Sequence, residues 1–281
     1  MTGAYVITGA AGFLGRHLVA ELRRRRLPVV AVTRQAGSFP ADVEAVRLAD
    51  YTQTPVGHAD TVIHLSECND IAVVESQGEA YIEEVRRRIE ALSRRKPKRF
   101  VYVSSAAVYG DAVSAPRKPD ESVAPTSIYA RAKYAGERLV LSRGGVVVRL
   151  SNLYGPGMSE RTVFFDILGQ RRQDGPVMIR DAGPLRDYLH VDDAARGLAD
   201  IGQGTERGVF NLGTGTGTKA DELARLLLSA AGEPERPVEA CRKEPGKSWL
   251  VVDPSATEAA FGWRASISLW DGARQLVMDA T

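Results

Sequence analysis

The stretch VITGAAGFLGRHL, Val6 to Leu18, sets Gly9, Gly12 and Gly15 three residues apart directly after an apolar run. Where a strand hands over to a helix through such a turn, the backbone comes against a ligand, and side chains there would collide with it. A pyrophosphate suits the place, because backbone N–H groups and the positive end of a helix beginning near Gly12 stabilise its charge. Glycine triplets also mark plain tight turns, but this one sits between strand and helix, as the mechanics of dinucleotide binding require. The expectation is a cofactor site that includes Gly9, Gly12, Phe13, Leu14 and Gly15.

Apolar runs of strand length recur through the first half as AYVITG, PVVAVT, AVRL, TVIHL, RFVYVS and GVVVRLS. Between several of them lie helix-like segments at Gly12 to Arg26, Glu79 to Arg95 and Ser127 to Ser142. Continuous apolar strands alternating with helices predict a doubly wound α/β fold, a parallel Rossmann sheet covered on both faces, over residues 1–152. After Asn152 the pattern loosens into turn-rich YGPG and DGPVMIRDAGP, so residues 153–281 read as a smaller, substrate-binding region. A strand-like GVFNLGTG suggests that segment 187–213 returns to the first domain. TKADELARLLLSAAG then reads as a helix with Thr218 as N-cap and Asp221 at its third position. GTGTGT, Gly213 to Thr218, is expected to be a strand-to-helix loop and not a second dinucleotide site.

Bulk properties narrow the class. The chain has 281 residues, with 37 Lys and Arg against 35 Asp and Glu, a net charge of +2 that makes no long-range field for nucleic acid or anionic membrane. The basic runs RRRR at 23–26 and RRKPKR at 94–99 each end a predicted helix, where cations face the negative end of the dipole. Cys68 and Cys241 match neither metal-ligand nor disulfide spacing, and the histidines at 17, 58, 64 and 190 show no metal pattern. No leader-like segment precedes the first strand, and no run approaches the ~18 apolar residues a membrane span needs. A cytoplasmic protein without nucleic-acid or membrane partners is the expectation.

The end of the second strand selects the dinucleotide. An acidic residue there would accept from a ribose 2′-OH, but this chain has Thr33 and Arg34. A guanidinium pairs with a 2′-phosphate where a carboxylate would repel it, which favours NADP(H), with NAD(H) the alternative if Arg34 is only a solvated loop residue. Asp50, after AVRL, is a candidate for the adenine amino group. Further along, SIYARAKYAGERLVLS has helical periodicity, so Tyr129 and Lys133 project from one face a turn apart. A nearby ammonium favours the phenolate and readies the phenol to exchange a proton with a substrate oxygen. Chance also produces this spacing often. RFVYVSSAAVYGD brings Ser104 and Ser105 to the carboxyl end of a buried strand, the edge where open α/β sheets carry ligands.

Through TGAAGFLG, VIHLS, VSSAAVYG, YARAK, RLSNLYGPG, RDYLHVDDAA, FNLGTG and the terminal FGW and SLWDG, the chain resembles an extended short-chain dehydrogenase/reductase of the NAD(P)-dependent sugar-nucleotide epimerase/dehydratase family. The resemblance spans nearly the whole length. It implies a catalytic set in which Ser105 bonds the reacting carbonyl oxygen, Tyr129 is the acid/base and Lys133 holds the nicotinamide ribose. It implies further that Asn152 and Arg186 bind the diphosphate of a nucleotide-linked sugar, and that the protein is a homodimer through the helices at 79–95 and 127–142. Family dehydratases carry an Asp-Glu pair where this chain has Ala106 and Ala107. Members that epimerise at C3 and C5 place a Cys at Ala107 and a His at Gly157. Neither elimination nor enolisation then has an operator, which leaves hydride transfer. Tyr81 stands where many relatives place an asparagine in the proton relay from the lysine to solvent, and the segment from Ser66 to Glu79 is short. The expected activity is NADPH-dependent reduction of a nucleotide-linked keto sugar, a 4-keto-6-deoxyhexose. The alternatives are a sugar-nucleotide 4-epimerase and a catalytically silent NADP sensor, whose signature would be loss of the Tyr-Lys pair kept here.

Overall fold

The six apolar runs become parallel strands in a computed structural model that describes residues 3–34, 39–242, 244 and 246–279. The first half runs β1 (Tyr5–Thr8), α1 (Phe13–Arg24), β2 (Val29–Thr33), β3 (Glu44–Arg47), β4 (Thr61–His64), α2 (Ile71–Gln77), α3 (Glu79–Arg94), β5 (Arg99–Ser105), α4 (Ile128–Leu141) and β6 (Val146–Leu150). The second runs β7 (Asn152–Tyr154), α5 (Val163–Leu168), β8 (Val177–Ile179), β9 (Leu185–Arg186), β10 (Tyr188–His190), α6 (Val191–Gln203) and β11 (Gly208–Leu212). It continues with β12 (Thr218–Lys219), α7 (Ala220–Ala230), β13 (Val238–Ala240), β14 (Trp249–Leu250), α8 (Ser255–Phe261) and α9 (Leu269–Asp279).

The central sheet has seven strands in the order β11-β6-β5-β4-β1-β2-β3, all parallel. Winding outward from β1 in one direction and from β4 in the other makes a doubly wound Rossmann-like fold, with its switch point between those two strands. Alternate residues of each strand feed opposite faces. Ile7, Val101, Val103, Val146 and Val148 pack with Leu18, Leu22, Leu198 and Trp263 under α1 and α6. Val6, Phe100, Tyr102 and Val147 pack with Val85, Ile89, Leu92 and Val140 under α3 and α4. Burial on both faces is why these strands read as unbroken apolar runs.

α6 and β11 lie late in the chain yet complete the first sheet, β11 pairing with β6 from Gly208↔Val146 to Leu212↔Leu150. The remainder forms small sheets, β7 with β10, β8 with β13, and β9 between β12 and β14. They close over a third core of Tyr154, Phe164, Ile167, Leu223, Leu227 and Leu276. Two details differ from the sequence reading. The short segment after β4 contains a helix, α2, capped by Asp70 Oδ1, which accepts from Val73 N at 3.2 Å. The late helix begins later than expected: Thr218 pairs with Arg186 as a strand, Lys219 is the N-cap, and Glu222 at the third position, not Asp221, accepts from Lys219 N at 2.9 Å. The antiparallel pairing to β9 holds Thr218 extended, a long-range constraint that local cap preference could not foresee. Among the described residues no helix is long and apolar enough to cross a membrane.

Candidate active site

A cleft of about 710 Å³ opens along the carboxyl ends of the central strands and extends to the second region. Ten of the twelve residues singled out from the sequence line it. They are Gly9, Gly12, Phe13, Leu14 and Gly15 at one end, Ser105, Tyr129 and Lys133 in the middle, and Asn152 and Arg186 at the other. Gly9 adopts φ +74°, and a Cβ at Gly15 would lie 2.3 Å from Gly9 O, so the turn itself demands glycine at both. Gly12 caps α1 without any side-chain hydrogen bond, and the first turn holds no acidic residue. Among the described residues no side chain caps the leading N–H groups of α1 at the cleft, which fits the pyrophosphate of a dinucleotide.

Arg34 and Asp50 stand beside the cleft and do not line it. Arg34 follows β2, exposed, with its guanidinium carbon 5.6 Å from the centroid of the Tyr51 ring, a cation–π contact that steadies it at the strand's end. Asp50 Oδ1 accepts from Thr52 N at 2.9 Å and Oδ2 from Arg87 Nη1 at 2.8 Å. The Thr52 amide first, then the Arg87 guanidinium, hold its carboxyl down to about 2. Adenine recognition would have to share a carboxylate already engaged in local structure.

The central trio is positioned by caps and close packing. Ser127 Oγ accepts from Ala130 N at 3.1 Å and starts α4, which puts Tyr129 in its first turn and Lys133 one turn on. At Gly136 a Cβ would meet the Tyr102 ring at 2.6 Å, so glycine lets α4 lie directly on β5. Lys133, 8% exposed, donates to Val103 O at 3.0 Å, and its Nζ lies 5.9 Å from the Tyr129 ring centroid and 5.4 Å from that of Tyr102. Ser105 Oγ accepts from Ala107 N at 3.2 Å, which leaves its own proton for a ligand oxygen. Ser104 faces the other way, donating to Glu137 Oε1 at 2.5 Å. Glu137 is fully buried and takes Arg149 on both oxygens, at 3.0 and 2.7 Å, tying α4 to β6.

On the far side, Arg186 donates to Ser248 Oγ at 2.7 Å, and Ser248 Oγ in turn donates to Asp111 Oδ2 at 2.5 Å. The guanidinium is thus oriented before any ligand arrives. Buried Asp187, beside it, accepts from Thr214 N at 2.9 Å and Gly215 N at 3.2 Å. These amides of the GTGTGT loop face a protein carboxylate, as a structural turn and not a phosphate cradle would have them. Ser151 Oγ and Thr162 Oγ1 are buried in the cleft lining without a hydrogen-bond partner among the described residues. Hydroxyls of this kind suit a polyhydroxylated ligand. Ala107 lines the cleft with a methyl group, Ala106 is buried, and Gly157 turns its carbonyl to Arg16 Nη2 at 3.3 Å, so none of the three offers a titratable group.

Sequence reading missed Glu67, Asp111, Ser151 and Thr162, all of which line the cleft. Glu67, three residues past the end of β4, and Asp111, six past the end of β5, carried little readable signal. Ser151 and Thr162 had none, because only their burial without partners marks them.

Comparison with known proteins places this geometry. The model of the NAD dependent epimerase/dehydratase family matches residues 5–213. The dTDP-glucose 4,6-dehydratase of Streptomyces griseus is 28% identical over 306 aligned positions, covering 97% of this chain and 92% of its own. The dTDP-6-deoxy-L-talose 4-dehydrogenase (NAD(P)(+)) of Kitasatospora kifunensis is 26% identical, covering 96% and 93%. Among solved structures, MoeE5 in complex with UDP-glucuronic acid and NAD superposes with a TM-score of 0.84 over 98% of each chain, at 27% identity.

Proposed function

We propose, from the premise that this chain belongs to the NAD dependent epimerase/dehydratase family, that it reduces the carbonyl of a nucleotide-linked keto sugar, a 4-keto-6-deoxyhexose, with NADPH. The chain is an enzyme of the sugar-nucleotide epimerase, dehydratase and dehydrogenase type. One observation carries the narrower reading: Ser105, Tyr129 and Lys133 line a single cleft, while Ala106, Ala107 and Gly157 bring to it no group that could move a proton for elimination or enolisation.

When bound, the nicotinamide supplies the hydride for the carbonyl carbon. Tyr129 gives its phenolic proton to the carbonyl oxygen, and Ser105, whose Oγ already accepts from Ala107 N, donates to the same oxygen as charge develops there. Lys133, its ammonium 5.9 Å from the centroid of the Tyr129 ring, would hold the nicotinamide ribose. Arg186, held by Ser248, and Asn152 take the substrate diphosphate, which a guanidinium can bond on two oxygens. Ser151 and Thr162 offer hydroxyls to the remaining polar groups of the sugar nucleotide. Arg34, stacked on Tyr51 at the end of β2, supports a 2′-phosphate, although NAD is what the MoeE5 structure contains. The protein is read as a homodimer through the outward faces of α3 and α4, as its resemblance implies.

The test is a small panel of nucleotide-linked keto sugars assayed for NADPH oxidation. One NADPH consumed per product supports the reductase. Turnover with no added cofactor and no net change at the nicotinamide absorbance band would instead identify a 4-epimerase, which uses the same residues to remove a hydride and return it to the other face.

A further inference from the structure

A second hollow, of about 420 Å³, lies at the opposite edge of the central sheet from the catalytic cleft, where β5, β6 and β11 begin. Its lining comes from the ends of α3 and α4 and from the turns that follow them. Arg94, Lys96, Lys98, Arg143 and Arg207 line it, and among the described residues no carboxylate does. Ser93 also lines it, 8% exposed, and its Oγ has no hydrogen-bond partner among the described residues. A buried hydroxyl left unpaired costs stability unless a partner enters beside it.

Helix capping does not account for these charges. Backbone amides already take the closing carbonyls: Lys96 N donates to Ser93 O at 3.0 Å, Arg143 N to Val140 O at 3.1 Å and Gly144 N to Leu141 O at 3.0 Å. Among the described residues, only Arg207 of the five cations donates to a carbonyl here, that of Gly144. Ion pairing does not account for them either. Glu90 takes Arg94 at 3.0 Å and Arg143 at 3.6 Å, so one carboxylate serves two guanidiniums. Glu206, next to Arg207 in the chain, accepts from Thr205 Oγ1 at 3.5 Å. Lys96, Lys98 and Arg207 pair with no carboxylate among the described residues. Buried Arg99, next in the chain, likewise finds carbonyls, Ile201 O at 2.8 Å and Glu206 O at 2.6 Å. A concave lining of one sign concentrates its potential on whatever enters.

We infer that this hollow is a second binding site, for a phosphate-bearing small molecule, separate from the cofactor and sugar-nucleotide positions of the cleft. A phosphate monoester carries a charge of about −1.5 to −2 and a diphosphate more, which the uncompensated Lys96, Lys98 and Arg207 can match. Ammonium and guanidinium groups give charge-assisted bonds to phosphate oxygens, and Ser93 Oγ adds a neutral donor. The enclosed volume suits a small molecule and not an extended strand of nucleic acid. Lys96 holds φ 51°, a left-handed conformation that glycine adopts at lower cost, so the strained residue carries one of the charges of the site.

The test uses the whole chain and inorganic diphosphate at about 0.15 M salt, where diffuse surface attraction is screened. Amide NMR resolved by residue separates the two sites: Lys96, Gly144 and Gly145 report the hollow, while Gly12 and Gly15 report the cleft. The signals of the hollow are expected to shift and to saturate with a single diphosphate bound there. Lys98→Gln and Arg207→Gln should each weaken that binding by about fivefold to tenfold, the usual loss for one charge-assisted bond, and leave the response at Gly12 and Gly15 as it was. Lys96→Gly should weaken it similarly without lowering the melting temperature, so the loss is not one of folding. Arg95→Gln, in the same basic run but outside the lining, should change it by less than about twofold. Signals that never saturate, or an equal loss with Arg95→Gln, would mean a diffuse basic surface and overturn the proposal. A titration that moves only Gly12 and Gly15 overturns it too. Neither keto sugar nor nicotinamide is present, so the outcome is independent of the reductase reading.

Discussion

Tyr129 concentrates the residue-scale argument. It begins α4, half-buried, with its ring toward an ammonium that is itself committed to the Val103 carbonyl. Among the described residues no hydrogen bond engages the phenolic oxygen, so Tyr129→Phe tests chemistry with little disturbance of packing. Turnover should fall by roughly 10²–10⁴-fold, the usual worth of a positioned acid/base, with cofactor affinity within about twofold and an unchanged melting temperature. Unchanged turnover would remove Tyr129 from the mechanism. The spacing of Tyr129 and Lys133 was legible from helical periodicity because one turn separates them in any helix. Glu67 was not legible in the same way, since its partners His64 and Tyr81 arrive from two different elements.

At the scale of elements, both basic runs end helices, as their position suggested. Arg23 pairs with Asp42 at 2.7 Å and Arg94 with Glu90 at 3.0 Å at the surface, whereas half-buried Arg25 reaches Asp200 on α6 at 2.6 Å and Arg99, buried at the start of β5, donates to Ile201 O at 2.8 Å, so the solvated-cap reading holds for only part of each run. Both helices also stop through a left-handed residue that is not glycine: Arg26 at φ 58° after α1 and Lys96 at φ 51° after α3. Such a conformation costs an L-residue about 1 kcal/mol that glycine avoids, partly offset by the entropy glycine loses on folding. Lys96→Gly should therefore stabilise the protein by about 0.5 kcal/mol, seen as a higher midpoint in urea with an unchanged slope. A lower midpoint would mean that the Lys96 side chain holds the turn. Element existence in the central sheet followed from the apolar runs, whereas the start of α7 did not, because pairing of Thr218 with Arg186 overrode the local cap signal.

The whole molecule is joined where the two regions meet. His17 on α1 sets Nδ1 2.6 Å from Asp192 Oδ1 at the start of α6 and Nε2 2.9 Å from Pro156 O in the YGPG turn. Both ring nitrogens face acceptors, which calls for an imidazolium. The Asp192 bond, helped by Pro156 and opposed by burial and Arg16, pushes its pKa above the usual 6.5. A raised folded value gives stability that is complete below the unfolded value and is lost as pH rises through the folded one. The advantage of the native protein over His17→Asn should thus be about 0.5 kcal/mol near pH 6 and shrink at higher pH, by melting temperature. An advantage that grows with pH would refute this pairing. By itself the sequence determined the alternation of strand and helix, the glycine turn and the Tyr-Lys face, because each is a pattern within one or two adjacent elements. Only the tertiary structure decided that Thr218 pairs with Arg186, that Arg186 is aimed by Ser248 and Asp111, and that His64 and Tyr81 meet on the buried carboxylate of Glu67. Those facts join residues far apart in the chain, and burial, not local spacing, fixes which charges must meet.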